Sequence, residues 1–268
     1  MPDLSDDFSW SGDTYTIHTD TGWDFFCDML EAGETFSGKT VELADDITAS
    51  RMAVGQPFTG TFDGQNHKLT LAYGTADAPV DAQFVAPFVE TARDTSPVFR
   101  NLTIDGTIYA THTAATDHDH VGGLIGHLFG DVTIEHCVSR VEIHAKGGAG
   151  GFVGLCEHSV SFTDCHSAAV ITSADGSNSG FVAWSRSSSW EIKLTGCLFD
   201  GKLLQQNGTV HSNGGFIGWK GDAKTVNITN CLCAPAPLAD GETMAKDGIA
   251  TFSREHSDHP ATITNCYY

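Results

Sequence analysis

The chain has 268 residues, 40% of them hydrophobic, which is enough apolar material for a sizeable core. Its 14 Lys and Arg stand against 34 Asp and Glu, and the resulting net charge of −20 repels phosphate backbones and anionic lipid surfaces, so nucleic acid is not expected as a partner. The opening MPDLSDDFSW lacks a basic and then apolar leader, and no stretch nears the roughly 18 apolar residues of a membrane span, so direct membrane insertion is not expected either.

The first predicted element is a helix in TGWDFFCDMLEAG. Thr21 and Asp24 read as a capping box, Trp23, Phe26, Met29 and Leu30 share one face, and Gly33 supplies a stop. Such a helix, from about Trp23 to Leu30, suits a cap (residues 1–40) over the open end of a stacked repeat domain (residues 41–268). GETFSGKT, residues 33–40, matches the phosphate-loop pattern G-x-x-x-x-G-K-[ST]. It follows a helix and opens a strand, however, the reverse of the strand-loop-helix context that cradles phosphate, so it reads as a decoy. KTVELADDIT and FTGTFDGQNHKLTL are the first predicted strands, with Asp63 and Gly64 in a tight turn.

From there the chain repeats. VTIEHC, VSFTDC, EIKLTGC, VNITNC and TITNC place Cys137, Cys165, Cys197, Cys231 and Cys266 at one position, 28, 32, 34 and 35 residues apart, and Leu102 in VFRNLTI extends the series. Three residues before each lies an apolar residue: Phe99, Ile134, Phe162, Leu194, Ile228 and Ile263. A second run recurs in GGLIGH, GGFVGL, SGFVAW and GGFIGW, aligning Leu124, Phe152, Phe181 and Phe216 with Phe88 as an earlier relative, and a third follows each Cys, as in VSRVEIHA. About three short strands per repeat predict an all-β, right-handed parallel β-helix: no single coil buries its apolar face, whereas stacked coils form ladders and hydrogen-bond one another. A β-propeller would need four strands and about forty residues per repeat. The ending TITNCYY shows no capping element, which predicts an exposed strand edge and a chain belonging to a longer polypeptide.

FTGTFDGQNHKLTL, followed by GGLIGH, GGFVGL and GGFIGW alternating with VTIEHC and VNITNC, resembles the GLUG-type repeats of bacterial surface proteins, including non-catalytic regions of immunoglobulin A peptidases. The likeness spans most of residues 41–268 and departs in the third repeat, where Ala183 replaces a Gly and a polar SRSSS insert predicts an enlarged turn. It implies a secreted or wall-attached scaffold, with no catalytic residue to carry over.

Five cysteines at one ladder position suit small core residues better than a disulfide framework, because stacked Cβ atoms would lie about 4.8 Å apart, beyond the usual bridging distance. They are expected to point inward as free thiols. No C-x-x-C pair supports zinc, and Cys231 and Cys233 would alternate faces. THTAATDHDH gathers His112, Asp117, His118, Asp119 and His120 in one connection, a set that suits zinc, nickel or copper, although a solvated surface loop explains it as well; no cofactor is expected. On the outward positions after the ladder Cys, Asp105 and Arg140 are predicted rung neighbours forming an exposed salt bridge, and Asp200 lies too far along to complete an acid-base pair.

If Leu124, Phe152, Phe181 and Phe216 face the core, then alternation turns His127, Leu155, Trp184 and Trp219 outward. Trp184 and Trp219 then form an aromatic shelf for a sugar ring, flanked by Arg186, Lys220 and Asp222. In the alternative, Ile125, Val153, Val182 and Ile217 define the core and both tryptophans are buried packing. The sequence points first to a non-enzymatic, extracellular or cell-surface module that binds glycan or a host or cell-surface protein. A polysaccharide lyase or glycosidase on the same fold is the alternative, since fold does not determine function.

Overall fold

A computed structural model describes residues 6–112, 120–174, 176–186, 190–205, 212–221, 225–242, 249–254 and 260–268. The chain is a parallel β-helix, with one helix among the described residues, and its strands stack into four sheets. A representative coil passes through Val132–Glu135 in sheet 1, Val138–Ser139 and Glu142–Ala145 in sheet 2, Gly148–Gly150 in sheet 3 and Val153–Cys156 in sheet 4, then returns to sheet 1 at Val160–Thr163. Sheet 3 carries almost no apolar alternation. Its strands include Gly148–Gly150 (GAG), Ser177–Ser179 (SNS) and Ser212–Gly214 (SNG), small residues held by backbone pairing with the coils on either side.

The register explains the repeat. In sheet 1 the rungs Val41, Phe62, Phe99, Ile134, Phe162, Leu194, Ile228 and Ile263 follow one another in direct pairing, and all but the last are fully buried. Each rung packs on its equivalents above and below, so burial is continuous along the axis. Full burial of such a side chain stabilises by about 1.5–3 kcal/mol.

From Phe99 onward each coil leaves sheet 1 through the same sharp corner. The residue before each ladder position is left-handed: Asn101 (φ 52°), His136 (52°), Asp164 (50°), Gly196 (68°), Asn230 (56°) and Asn265 (51°). Asn, Asp, His and Gly tolerate that conformation better than other residues. The following Cys then fits the crowded inner corner. Cys137, Cys165, Cys197 and Cys231 are buried, and the thiols of these four and of Cys266 each donate to the carbonyl two residues back, at 3.2–3.5 Å. All eight cysteines are free, as expected, although Cys266 is only half-buried. The turn after Asp63 places its left-handed residues one and two positions later, at Gln65 and Asn66 (φ 52° and 67°). Asp63 is buried there and accepts from Gln65 N (2.9 Å), Asn101 Nδ2 (3.1 Å) and Arg100 Nε (2.7 Å).

Between sheets 3 and 4 the corner is glycine-led. A side chain on Gly151 would collide with the carbonyl of Gly180 in the next coil and crowd Ser167 Oγ, so this row stacks only without Cβ atoms. The next residue points into the core, where Phe152, Phe181, Phe216 and Phe252 form a stack with centroids 5.2, 5.0 and 5.7 Å apart.

The helix Asp20–Glu31 covers the first coil. Trp23, Phe26, Cys27 and Leu30 are buried, Met29 packs partly against the core, and Trp23 and Phe26 meet the core rings of Phe62 and Phe88. Trp23 Nε1 donates to Arg51 O (2.8 Å), which satisfies its polar end. The N-cap is Thr19, whose hydroxyl accepts from Gly22 N at 3.2 Å, rather than the expected pair Thr21 and Asp24: the helix begins earlier, so both lie inside it. Gly33 (φ 105°) follows the C-cap Ala32. Among the described residues no helix is long and apolar enough to cross a membrane.

Two outcomes follow. Asp164→Val should lower stability by about 1–2 kcal/mol, whereas Asp164→Gly should cost little, as read by urea unfolding; equal losses would refute the corner's conformational role. Burial by itself would raise the carboxyl of Asp63, but its hydrogen bonds outweigh that and hold it below the ordinary carboxylate range. Its stabilisation is therefore complete above the unfolded-state value, about 3.9, and is lost as pH falls through the lower folded value. Acid titration of stability should accordingly be steeper for the parent than for Asp63→Asn.

Candidate functional site

Sheet 4 holds the candidate tryptophans and their polar neighbours. Its rungs run Phe88, Ile125, Val153, Val182 and Ile217, and beside them Glu90, His127, Leu155, Trp184 and Trp219. Phe88 is thus the partner of Ile125 rather than of Leu124. The two alternatives for the core are both realised: Leu124, Phe152, Phe181 and Phe216 are fully buried, and so are Ile125, Val153, Val182 and Ile217. Alternation does not run through the Gly-Phe pair because the backbone bends there and the strand starts one residue later.

Trp184 and Trp219 are direct rung partners, and both are half-buried. Trp184 meets the ring of His120 edge to face (5.4 Å), and the guanidinium of Arg254 sits 5.3 Å from the Trp219 ring centre. Arg254 gave no signal in the sequence, lying outside every recurring motif. The Arg186 side chain is exposed, and its Nε lies 3.9 Å from Glu157 Oε1. Lys220 departs from expectation. It is fully buried, because it directly follows Trp219 on the strand and turns away from the face the tryptophans share. Asp222 lies outside the described residues, as does the core of the SRSSS insert, residues 187–189.

Next to the tryptophans, His127 bridges three coils. Its Nδ1 is 2.8 Å from Glu90 Oε1 and its Nε2 is 2.9 Å from Glu157 Oε2. The imidazole presents one ring nitrogen to each carboxylate, so the ring is held at both edges. Phe84 stacks on the ring (4.6 Å) and Phe129 closes another side (5.1 Å). These carboxylates lie on opposite edges of the imidazole, and each is committed to it. Sequence spacing could not reveal the trio, since its members are 30 and 37 residues apart.

The proposed metal set does not assemble among the described residues. His112 approaches Asp81 (3.6 Å), while His120 is buried beside Phe84 and Trp184; Asp117, His118 and Asp119 lie outside the described residues. No group of three or more His, Cys, Asp or Glu poised for a metal occurs among the described residues. The expected Asp105–Arg140 bridge is not formed, because Asp105 turns back to accept from Gly106 N (2.7 Å). Asp200 pairs with His166 instead (2.6 Å). The phosphate-loop look-alike is closed as well: Lys39 Nζ bonds Glu34 (2.7 Å) and lies over the Tyr15 ring.

No family model matches the chain, and neither does any curated protein. Among solved structures it is similar to one described as "a putative immunoglobulin A1 protease from Bacteroides ovatus", with 15% identity, a TM-score of 0.47, and coverage of 95% of this chain and 84% of that one. Likeness at that level says nothing of activity.

The buried thiols are chemically quiet. Desolvation pushes Cys27, Cys137, Cys156 and Cys233 up to about 12, away from the thiolate that reacts, and Cys233 owes its shift to burial alone. In native protein at pH 8 a thiol reagent should therefore react slowly, and unfolding without reductant should release all eight thiols at once. Rapid native labelling of Cys27, Cys137, Cys156 or Cys233 would contradict this.

Proposed function

We propose that the chain is a non-enzymatic β-helix module of a secreted or cell-surface protein, a stiff scaffold that presents a carbohydrate-binding face on sheet 4. The observation that carries this reading is the register of Trp184 with Trp219. Adjacent rungs lie about 4.8 Å apart, so two indoles on successive coils form one continuous apolar strip of the kind on which a pyranose ring packs its C–H face. Arg254 beside Trp219 and the exposed Arg186 beyond Trp184 supply donors to orient hydroxyls. The stacked coils hold these groups in place before a ligand arrives, which lowers the entropy cost of binding.

The competing reading is a polysaccharide lyase or glycosidase. It calls for carboxylates converging on one groove, with room for substrate between them. Glu90 and Glu157 come together only through His127, which engages both, so the binding reading has the better support.

Calorimetric titration of a panel of host and microbial glycans tests the assignment. At least one glycan should bind the parent, and Trp184→Ala and Trp219→Ala should each weaken it roughly tenfold, about 1.4 kcal/mol, with the melting temperature little changed. Absence of any bound glycan, or release of reducing ends from the panel, would overturn it.

A further inference from the structure

The connections from sheet 4 back to sheet 1 are uneven in length, and the unevenness shapes the surface. Residues 129–131 and 157–159 make short corners, whereas the longer stretches 91–97 and 186–190 belong to the coils on either side. Short corners between longer ones leave a dip, and across it lies an open groove of about 180 Å³ on the outer face of sheet 1. Its floor is formed by the half-buried Thr133 and Ser161, which are rung partners and alternate with the buried Val132, Ile134, Val160 and Phe162. Ser96 borders it on one side and Glu191 and Lys193 on the other, with Asp131 and Ser159 at the short corners.

The protein holds these borders in place. Thr91 Oγ1 accepts from Phe129 N (2.9 Å) and Gly130 N (3.1 Å), which ties the longer connection 91–97 to the short corner beside it. On the other side the ring of Trp190 stacks on His158 (3.5 Å between centres), and His158 Nδ1 lies 2.6 Å from Asp131 Oδ1, so one chain of contacts links three successive coils. Groups fixed in this way lose little freedom when a ligand arrives. The hydroxyls, by contrast, are lightly engaged: Ser161 Oγ reaches Thr133 Oγ1 only at 3.5 Å, and Ser159 Oγ accepts from Glu191 N at 3.4 Å. Asp131 meets His158 through Oδ1, and Glu191 accepts from Asn227 Nδ2 (2.7 Å) through Oε1, so each carboxylate has a second oxygen to offer.

We infer that this groove binds one residue of a neutral saccharide. Its charges are mixed: Asp131 and Glu191 oppose an anion, and the exposed Lys193 opposes a cation. The carboxylates only accept hydrogen bonds, the ammonium only donates, and the Ser and Thr hydroxyls do both. A ligand that uses all of these together is uncharged and carries several hydroxyls of its own. The volume of about 180 Å³ lies below the roughly 300–1,000 Å³ of pockets that enclose drug-sized ligands, so there is room for one ring, and the rest of a longer glycan leaves through the open side. The groove is separate from the tryptophans of sheet 4 and does not depend on them: there an apolar strip packs against a sugar face, whereas here hydrogen bonds select the hydroxyls.

Titration of the full chain with glucose, galactose, mannose and N-acetylglucosamine, followed by residue-assigned amide NMR, tests this. At least one of these sugars, at roughly millimolar concentration, should shift the amides of Thr133, Ser161 and Lys193 together. Thr133→Val and Ser161→Ala, both on the outer face of their strands, should each weaken that binding roughly fivefold with the melting temperature little changed. Glucuronate and glucosamine, which carry a charge, should bind less well than the neutral sugars. No shift at these amides with any sugar of the set, tighter binding of a charged one, or binding indifferent to both variants would each overturn the inference. Shifts confined to Trp184 and Trp219 would overturn it too, while leaving the reading of sheet 4 in place.

Discussion

Each coil of this protein is too thin to bury its own side chains or to satisfy its own backbone, and the whole structure depends on stacking in register. A rung finds its hydrogen-bond partners only in the coils on either side. Any residue at a coil corner must therefore follow nearly the same path as its equivalents one repeat away. That requirement accounts for the left-handed residue before every ladder position, from Asn101 to Asn265, and for the row of glycines at Gly123, Gly151, Gly180 and Gly215, where a Cβ would strike the neighbouring coil. The apolar ladders of sheet 1 and the phenylalanine stack fill the channel that these corners enclose.

The same register turns sequence distance into contact. Glu90, His127, Leu155, Trp184 and Trp219 are drawn from five coils yet form a single row, and the first two join Glu157 around one imidazole. A surface built this way is set by repeat length rather than by loop conformation, which suits a module that presents groups at fixed spacing. The cysteine ladder shows the other side of the arrangement: thiols pressed into identical inner corners are desolvated and serve as packing.

A stacked repeat also has two ends, and the protein treats them differently. At one end Trp23 and Phe26 supply the ring surface that a preceding coil would have supplied. At the other, Ile263 takes the core position of the last described rung of sheet 1, paired with Ile228.

The recurrence of Cys and of the apolar residue three before it determined the parallel β-helix, its rung register in sheet 1 and the burial of the ladder, because a solenoid writes its geometry into a fixed repeat. The helix at the N-terminal end was equally legible from its apolar face, with only its first turn misplaced. Sheet 3 was not legible: GAG, SNS and SNG have no hydrophobic period, and these segments become strands only because neighbouring coils pair with them. The corner residues were present in the sequence as Asn, Asp, His or Gly before each ladder residue, but their meaning depends on a backbone angle that composition does not state. Tertiary structure alone decided that both Phe152 and Val153 face the core, that Lys220 is buried beside an accessible Trp219, and that His127 holds two glutamates. The physical reason is that a bend at Gly151 interrupts the two-residue period on which any reading of a strand depends, and contacts between coils 30 or more residues apart leave no local trace.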